Sequence, residues 1–342
     1  MLGDKLRERS NFQTLLVGFL LGGILSGCSI APSPEDVAHV PTSNIVRQIR
    51  CEARQAVIQS LFNYLTSDDN NKNKSKLDDY SFGVGLKLQK AYELNHDSIA
   101  KFDPSQLTGF ARIVVGLLYN TGIAYYYDLT GLETNNIDPA ADVIRPVPIS
   151  SLVTLGLVGN FDRQRQSELS FTITDNFGDL IQKIHEDYCT NHLAEANYVY
   201  PIAGRVGLDN VIKQFILMTL YENLDAPNKD VTALKPGPPT IVQQLQFTTL
   251  FSGGATPKIV FAPNGPQAQF SDVSFPVTIS RKDTHQLTVG LYLDKAGAKE
   301  IGGVRTRIFN GTFITASGGT AERGAANAVE QFLALKIFKP PS

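Results

Sequence analysis

The chain has 342 residues, 42% of them hydrophobic, with 31 Lys and Arg against 33 Asp and Glu and a formal net charge of −2. That apolar content excludes wholesale disorder, and the near-neutral balance offers no basic stripe for nucleic acid. Three cysteines and five histidines leave little material for a metal centre or a general base.

In chain order, Lys5, Arg7 and Arg9 come first, and Leu15 to Leu25 then form an apolar run interrupted by glycine. A helix of that length rises only about 16 Å, half of a bilayer core, so it is not a membrane span. The run closes on Leu25-Ser26-Gly27-Cys28. These residues resemble the bacterial lipoprotein signal, whose lipobox joins Leu, a small residue, Gly and the modified Cys. The resemblance implies a signal over 1–27, cleavage before Cys28 and lipid attachment on it. Ser29, where inner-membrane relatives often carry Asp, points to the outer membrane. The implied partners are a membrane, reached through the anchor, and other envelope proteins. An ordinary secretory signal with an incidental cysteine, or an uncleaved anchor, is the competing reading.

Residues 28–42, with Pro32, Pro34 and Pro41, read as a tether between lipid and body. Ile45, Ile49, Ala53, Ala56, Val57, Leu61 and Tyr64 recur at helical spacing, with Cys51, Ile58, Phe62 and Leu65 on a neighbouring face. So wide an apolar arc predicts a buried helix over 43–65. Val84, Leu86 and Leu88 then alternate as in a half-buried strand. Ile113 to Tyr119 and Ile123 to Leu129 flank Asn120-Thr121-Gly122, a hairpin signal. A second hairpin is expected from Leu152 to Phe161 and Leu169 to Thr174, turning at Asp162–Arg165.

Two helices, 176–189 and 208–225, follow, and 226–240, holding four prolines, reads as a linker. Beyond it the order repeats. Leu245 to Phe251 and Lys258 to Phe261 suggest one hairpin; Ser274 to Ile279 and Leu287 to Leu293, turning at Arg281–Asp283, suggest another. A last helix is expected over 321–338. The stretches 163–171 and 281–289 match in Arg and Leu six apart, which fits either a duplicated β unit or two generic hairpins. The domain reading is therefore 43–225 with one β unit, the linker, and 241–342 with a second.

Candidate chemistry is thin. His185, Cys189 and His192 fall at i, i+4 and i+7, a zinc-like spacing if one helix carries all three, although the helical pattern fades after Cys189. Cys51 and Cys189 read either as a disulfide in an oxidising compartment or as two buried thiols. Ser98-Ile99-Ala100-Lys101 matches S-x-x-K, but its companion strings S-D-N and K-T-G are absent, so the match is a coincidence. Tyr125 and Tyr127 would share one strand face, either as cross-strand packing or as an interface. No nucleotide loop or nucleophile elbow occurs, and no cofactor is implied.

The expected fold is α+β, with two antiparallel β units packed against four main helices. The expected role is a lipid-anchored binding or scaffolding component of the envelope. A metal- or carboxylate-based hydrolase and a small-ligand carrier are the alternatives.

Overall fold

The computed structural model describes residues 32–72, 76–147, 151–190, 196–222, 224, 238–260, 269–293, 325 and 327–333. The described chain starts with a short helix, α1 (Pro34–Ala38), closed by the Asp36 carboxylate accepting the Ser33 N–H at 2.6 Å. Next comes α2 (Thr42–Leu65), whose two apolar stripes are both buried, from Ile45 and Ile49 through Cys51, Ile58 and Leu65. Around it pack α3 (Asp79–Leu94), α5 (Phe177–Gln182), α6 (Glu186–Cys189) and α7 (Leu208–Tyr221), with α4 (Gly109–Tyr119) against α5.

The strands are β1 (Thr121–Ile137), β2 (Ala140–Val147), β3 (Ser151–Val158) and β4 (Phe161–Asn176), then β5 (Thr240–Ala255), β6 (Lys258–Val260), β7 (Gln269–Ser274) and β8 (Val277–Leu293). They form two antiparallel four-stranded sheets, ordered β4-β1-β8-β5 and β3-β2-β7-β6. The fold class is α+β.

Each half of the strand set is one long bent hairpin. In the first, β1 passes through Asp138-Pro139 into β2, and β3 returns through Gly159-Asn160 into β4, so that Ile137 faces Phe161 and Ala140 faces Val158. In the second, Thr256-Pro257 and Phe275-Pro276 make the break, between the pairs Ala255–Val277 and Lys258–Ser274. Proline has no N–H to give the ladder, which is why the sheet is interrupted at these points. Three backbone bonds still tie the break together: Asp138 to Pro276, Gly159 to Pro139 and Phe275 to Pro257, at 3.0, 2.8 and 3.0 Å.

The core lies between the helices and the odd-numbered face of the first sheet. Ile123, Tyr125, Tyr127 and Leu129 of β1 and Leu287, Val289, Leu291 and Leu293 of β8 join α2, α4, α5 and α7 there. On the opposite face, Ala124 and Tyr292 meet Ala325 and Val329 of a C-terminal helical segment. Gly290 allows that approach, since a Cβ there would stand 2.6 Å from Val329 and 2.8 Å from the Ala325 carbonyl.

Several expectations are corrected. Val84, Leu86 and Leu88 lie in α3, not a strand, and Ile113–Tyr119 belong to α4, not a hairpin. The supposed turns at 162–165 and 281–283 lie inside continuous strands, whose middle crosses a charged zone and so loses its apolar residues. Leu152–Val158 and Leu169–Thr174 belong to different sheets, whereas Val277–Ile279 and Leu287–Leu293 are parts of one strand, β8. Helix 176–189 is two helices, because the chain leaves helical geometry at His185, the N-cap of α6. The N-cap of α7 is Gly207, in the left-handed region at φ 90°. The two β units are not separate sheets: β1 pairs with β8 along its whole length, from Thr121–Leu293 to Ile137–Val277. The linker at 226–240 lies almost entirely outside the described residues, as do the ends of the last helix.

Candidate functional site

The residues singled out in the sequence do not converge. Cys28 and His192 lie outside the described residues. Cys51 and Cys189 form a disulfide, joining α2 to the end of α6. That removes Cys189 as a thiolate ligand. His185 stands apart as an exposed helix cap, with Nδ1 3.7 Å from Asp97. Among the described residues no group of three or more His, Cys, Asp or Glu is arranged for a metal. Tyr125 and Tyr127 are fully buried, so they are no docking surface. Tyr127 stacks on Phe171 of the neighbouring strand with centroids 4.8 Å apart, and burial pushes both hydroxyls far above their ordinary range.

A polar groove of about 420 Å³ lies over α2, lined by Glu52, Gln55, Tyr92, His96, Glu186 and Arg205 among others. Its carboxylates are engaged in holding helices together. Glu186 meets Arg54 at 3.2 Å and His96 at 3.3 Å. Glu52 accepts the backbone N–H groups of Val206, Gly207 and Leu208 at 2.9, 2.7 and 2.8 Å, capping the N-terminus of α7 from another helix. Asp209 pairs with Arg205 at 2.8 Å. These contacts assign the groove's carboxylates structural work rather than a role as a paired acid and base.

The unusual surface is the sheet itself. Along the odd-numbered face three zones follow one another. The first, ending near Leu129, is the buried core. The second is a charged belt: Glu133 pairs with Arg165 at 2.8 Å, and the Arg281 Nε donates to Asp283 at 2.8 Å. Buried within it, the Tyr200 hydroxyl donates to Asp283 at 3.0 Å and makes a very short contact with His285 Nε2. Arg281 also donates to the Ser33 carbonyl and lies 3.6 Å from Asp36, so α1 is docked on this belt rather than hanging free as a tether. Pro32 is buried beside Gly131, where a Cβ would meet its carbonyl at 3.3 Å.

The third zone, beyond the proline breaks, is apolar and exposed. Val153, Leu155 and Leu157 on β3, Phe270 on β7 and Ile259 on β6 are each between 45% and 58% exposed. The register puts them together: Leu155 faces Val143, which faces Phe270, and Leu157 faces Ala141, Val273 and Ile259 in turn across the four strands. Sequence reasoning missed this surface, although the alternation of Val153, Leu155 and Leu157 with Thr154 and Gly156 was its signal. Monomeric proteins rarely expose apolar side chains in so contiguous a patch.

A family described as uncharacterised protein y4kA matches residues 31–301, a span that includes both bent hairpins and the helices between them. The chain belongs to that family. A relative described as uncharacterized protein y4kA, from Sinorhizobium fredii (strain NBRC 101917 / NGR234), is 29% identical over 272 residues, covering 78% of this chain and 79% of its own. Among solved structures, the InvG secretin domain β-barrel from the Salmonella SPI-1 injectisome matches at 7% identity over 64% of this chain and 69% of its own. Its TM-score is 0.18, too low to carry an argument. Among the described residues no helix is long and apolar enough to cross a membrane, which leaves the strands unaddressed.

Proposed function

We propose that this chain is an envelope lipoprotein, held by acyl groups on Cys28, that acts as a self-assembling scaffold whose copies join edge to edge through β4 and β5. The observation that carries this reading is the strand order. In β4-β1-β8-β5 every neighbour is antiparallel, so β4 and β5 run in opposite directions at the two edges. A copy set beside another therefore continues the antiparallel ladder without reversal. Each edge strand is 16 residues long, and among the described residues no strand covers either. Long uncovered edges attract further strands, and pairing between copies satisfies them. The lipobox-like Leu25–Cys28 supports the anchor.

Cysteines placed on the two edges test the assembly. Oxidation in intact cells of a variant carrying Gln166→Cys and Thr248→Cys, scanned along both strands for register, is expected to give a ladder of multimers, whereas either change alone gives at most dimers. A monomer at every register overturns the reading. Incorporation of labelled palmitate that disappears in Cys28→Ala is the expected result for the anchor.

A further inference from the structure

We infer that the sheet beyond the proline breaks crosses a lipid bilayer, each copy supplying four strands of a closed antiparallel β-barrel with a polar lumen that passes ions and small polar solutes. The inference rests on the assembly reading above and deepens it. Its first support is the division between the two faces of the distal sheet. The odd-numbered face carries Val143, Val153, Leu155, Leu157, Ile259 and, after a bulge in register, Phe270. Among the described side chains there, Arg145 is the one charge, near the hairpin tip. The even-numbered face carries Asp142, Thr154, Gly156, Asp272 and Lys258, with Lys258 and Asp272 paired at 3.2 Å. Ile144, Val158 and Val260 are its larger apolar residues. β7 and most of β3 alternate apolar-out and polar-in, as strands of a membrane barrel do, whereas β2 reverses at Ile144–Arg145 and Val158 and Val260 are exposed on the polar face.

The second support is dimension. From Phe161 to Val153 the apolar face runs about 27 Å at about 3.4 Å per residue, and a tilt of about 40° reduces this to about 21 Å, close to the apolar band of outer-membrane barrels. At the band's lower border stand the half-exposed Phe161 and Phe275, with the Arg163 guanidinium 4.5 Å over the Phe161 ring. Aromatic and basic side chains gather at membrane–water borders. The even-numbered face continues below the border as a polar wall: Gln164, Gln166, Glu168, Ser170 and Thr172 of β4 are all exposed.

Closure of the sheet also removes the edges of both sheets at once. Two copies make eight strands, whose interior side chains fill the barrel, while sixteen strands enclose an aqueous channel, so the ring contains about four copies or more.

Full-length protein purified from membranes in mild detergent and added to vesicles of phosphatidylethanolamine and phosphatidylglycerol tests this. The expected result is a ring-sized mass by light scattering, stepwise potassium chloride conductance, and release of a small trapped dye. Leu155→Arg, at mid-depth on the apolar face, is expected to reduce dye release at least tenfold. Thr154→Lys, at the same depth on the polar face, is expected to keep conductance and shift selectivity toward chloride. An unchanged melting temperature and an intact Cys51–Cys189 bond establish that both variants fold. A multimer without conductance overturns the barrel and leaves the scaffold standing. Loss of activity by both variants alike also overturns it. Monomeric protein without conductance overturns scaffold and barrel together, whereas Cys28→Ala protein that still conducts separates the barrel from the anchor.

Discussion

Three residue-scale devices hold the helical body together and to the sheet, and each makes a measurable prediction. Cys51–Cys189 closes a loop with a sequence separation of 138, beside which Arg50 grips Asp175 through two hydrogen bonds of 2.6 and 2.8 Å. Constraint of so long a loop in the unfolded chain gives about 5 kcal/mol at most, and the Cys51→Ala, Cys189→Ala double variant is expected to lose about 2–5 kcal/mol in denaturant unfolding. Glu52 is the second device. Truncation to Ala leaves three N–H groups of a buried helix start without their acceptor, so Glu52→Ala is expected to cost about 3 kcal/mol or more, whereas a surface control such as Glu93→Ala changes little. His285 is the third. Burial holds its imidazole below the ordinary value of 6.5, Arg281 adds to this, and Asp283 and Asp128 oppose it. The unfolded chain therefore binds a proton before the folded one does. Stability from this residue is complete above about pH 7 and falls as pH drops through the unfolded value. Melting temperature followed from pH 7.5 to 5 is expected to decline in the wild type and to decline less in His285→Gln. The Asp36 and Asp78 carboxyls, held below 3.8, act at lower pH.

At the scale of elements, the sequence was most legible where one environment lasts for the whole element. The helix at Thr42–Leu65 meets the core on most of its circumference, and its stripes reveal it. The strands β4 and β8 cross from core through a charged belt to an exposed apolar zone. Their polar middles, Asp162–Arg165 and Arg281–Asp283, therefore read as turns, while the real interruptions sit at prolines. Val84, Leu86 and Leu88 imitate a strand because Gly83 and Gly85 thin the opposite positions; Gly85 is glycine because a Cβ would stand 2.7 Å from Leu65. Pairing between strands far apart in sequence had no local sign at all. Gly290 shows how tightly these elements meet. Gly290→Leu drives a side chain into Val329 and the Ala325 backbone, and is expected to cost about 1–3 kcal/mol and to expose the C-terminal helical segment to limited proteolysis.

At the scale of the molecule, the two ends of the sheet are energetically separate. The near end shares one hydrophobic core with α2, α4, α5 and α7, while the distal strands pair only with one another and expose their apolar side chains. The candidate surface was legible in the sequence as alternation, and invisible as a surface until the register set four strands side by side. This separation allows a decisive truncation. Ile137 faces Phe161 and Ala255 faces Val277, so each hairpin can be closed at its break by a two-residue Asn-Gly turn, replacing residues 138–160 and 256–276. Among the described residues of these segments Ile144 is the one apolar side chain that is buried, so the shortened protein is expected to keep its melting temperature within a few degrees. If the distal sheet is the membrane-facing part, the same protein carrying Cys28→Ala leaves the membrane fraction entirely, whereas Cys28→Ala alone with intact hairpins remains there. Equal release of both proteins shows that the hairpin ends contribute nothing to membrane attachment, and a collapse of the melting temperature shows that the body depends on them.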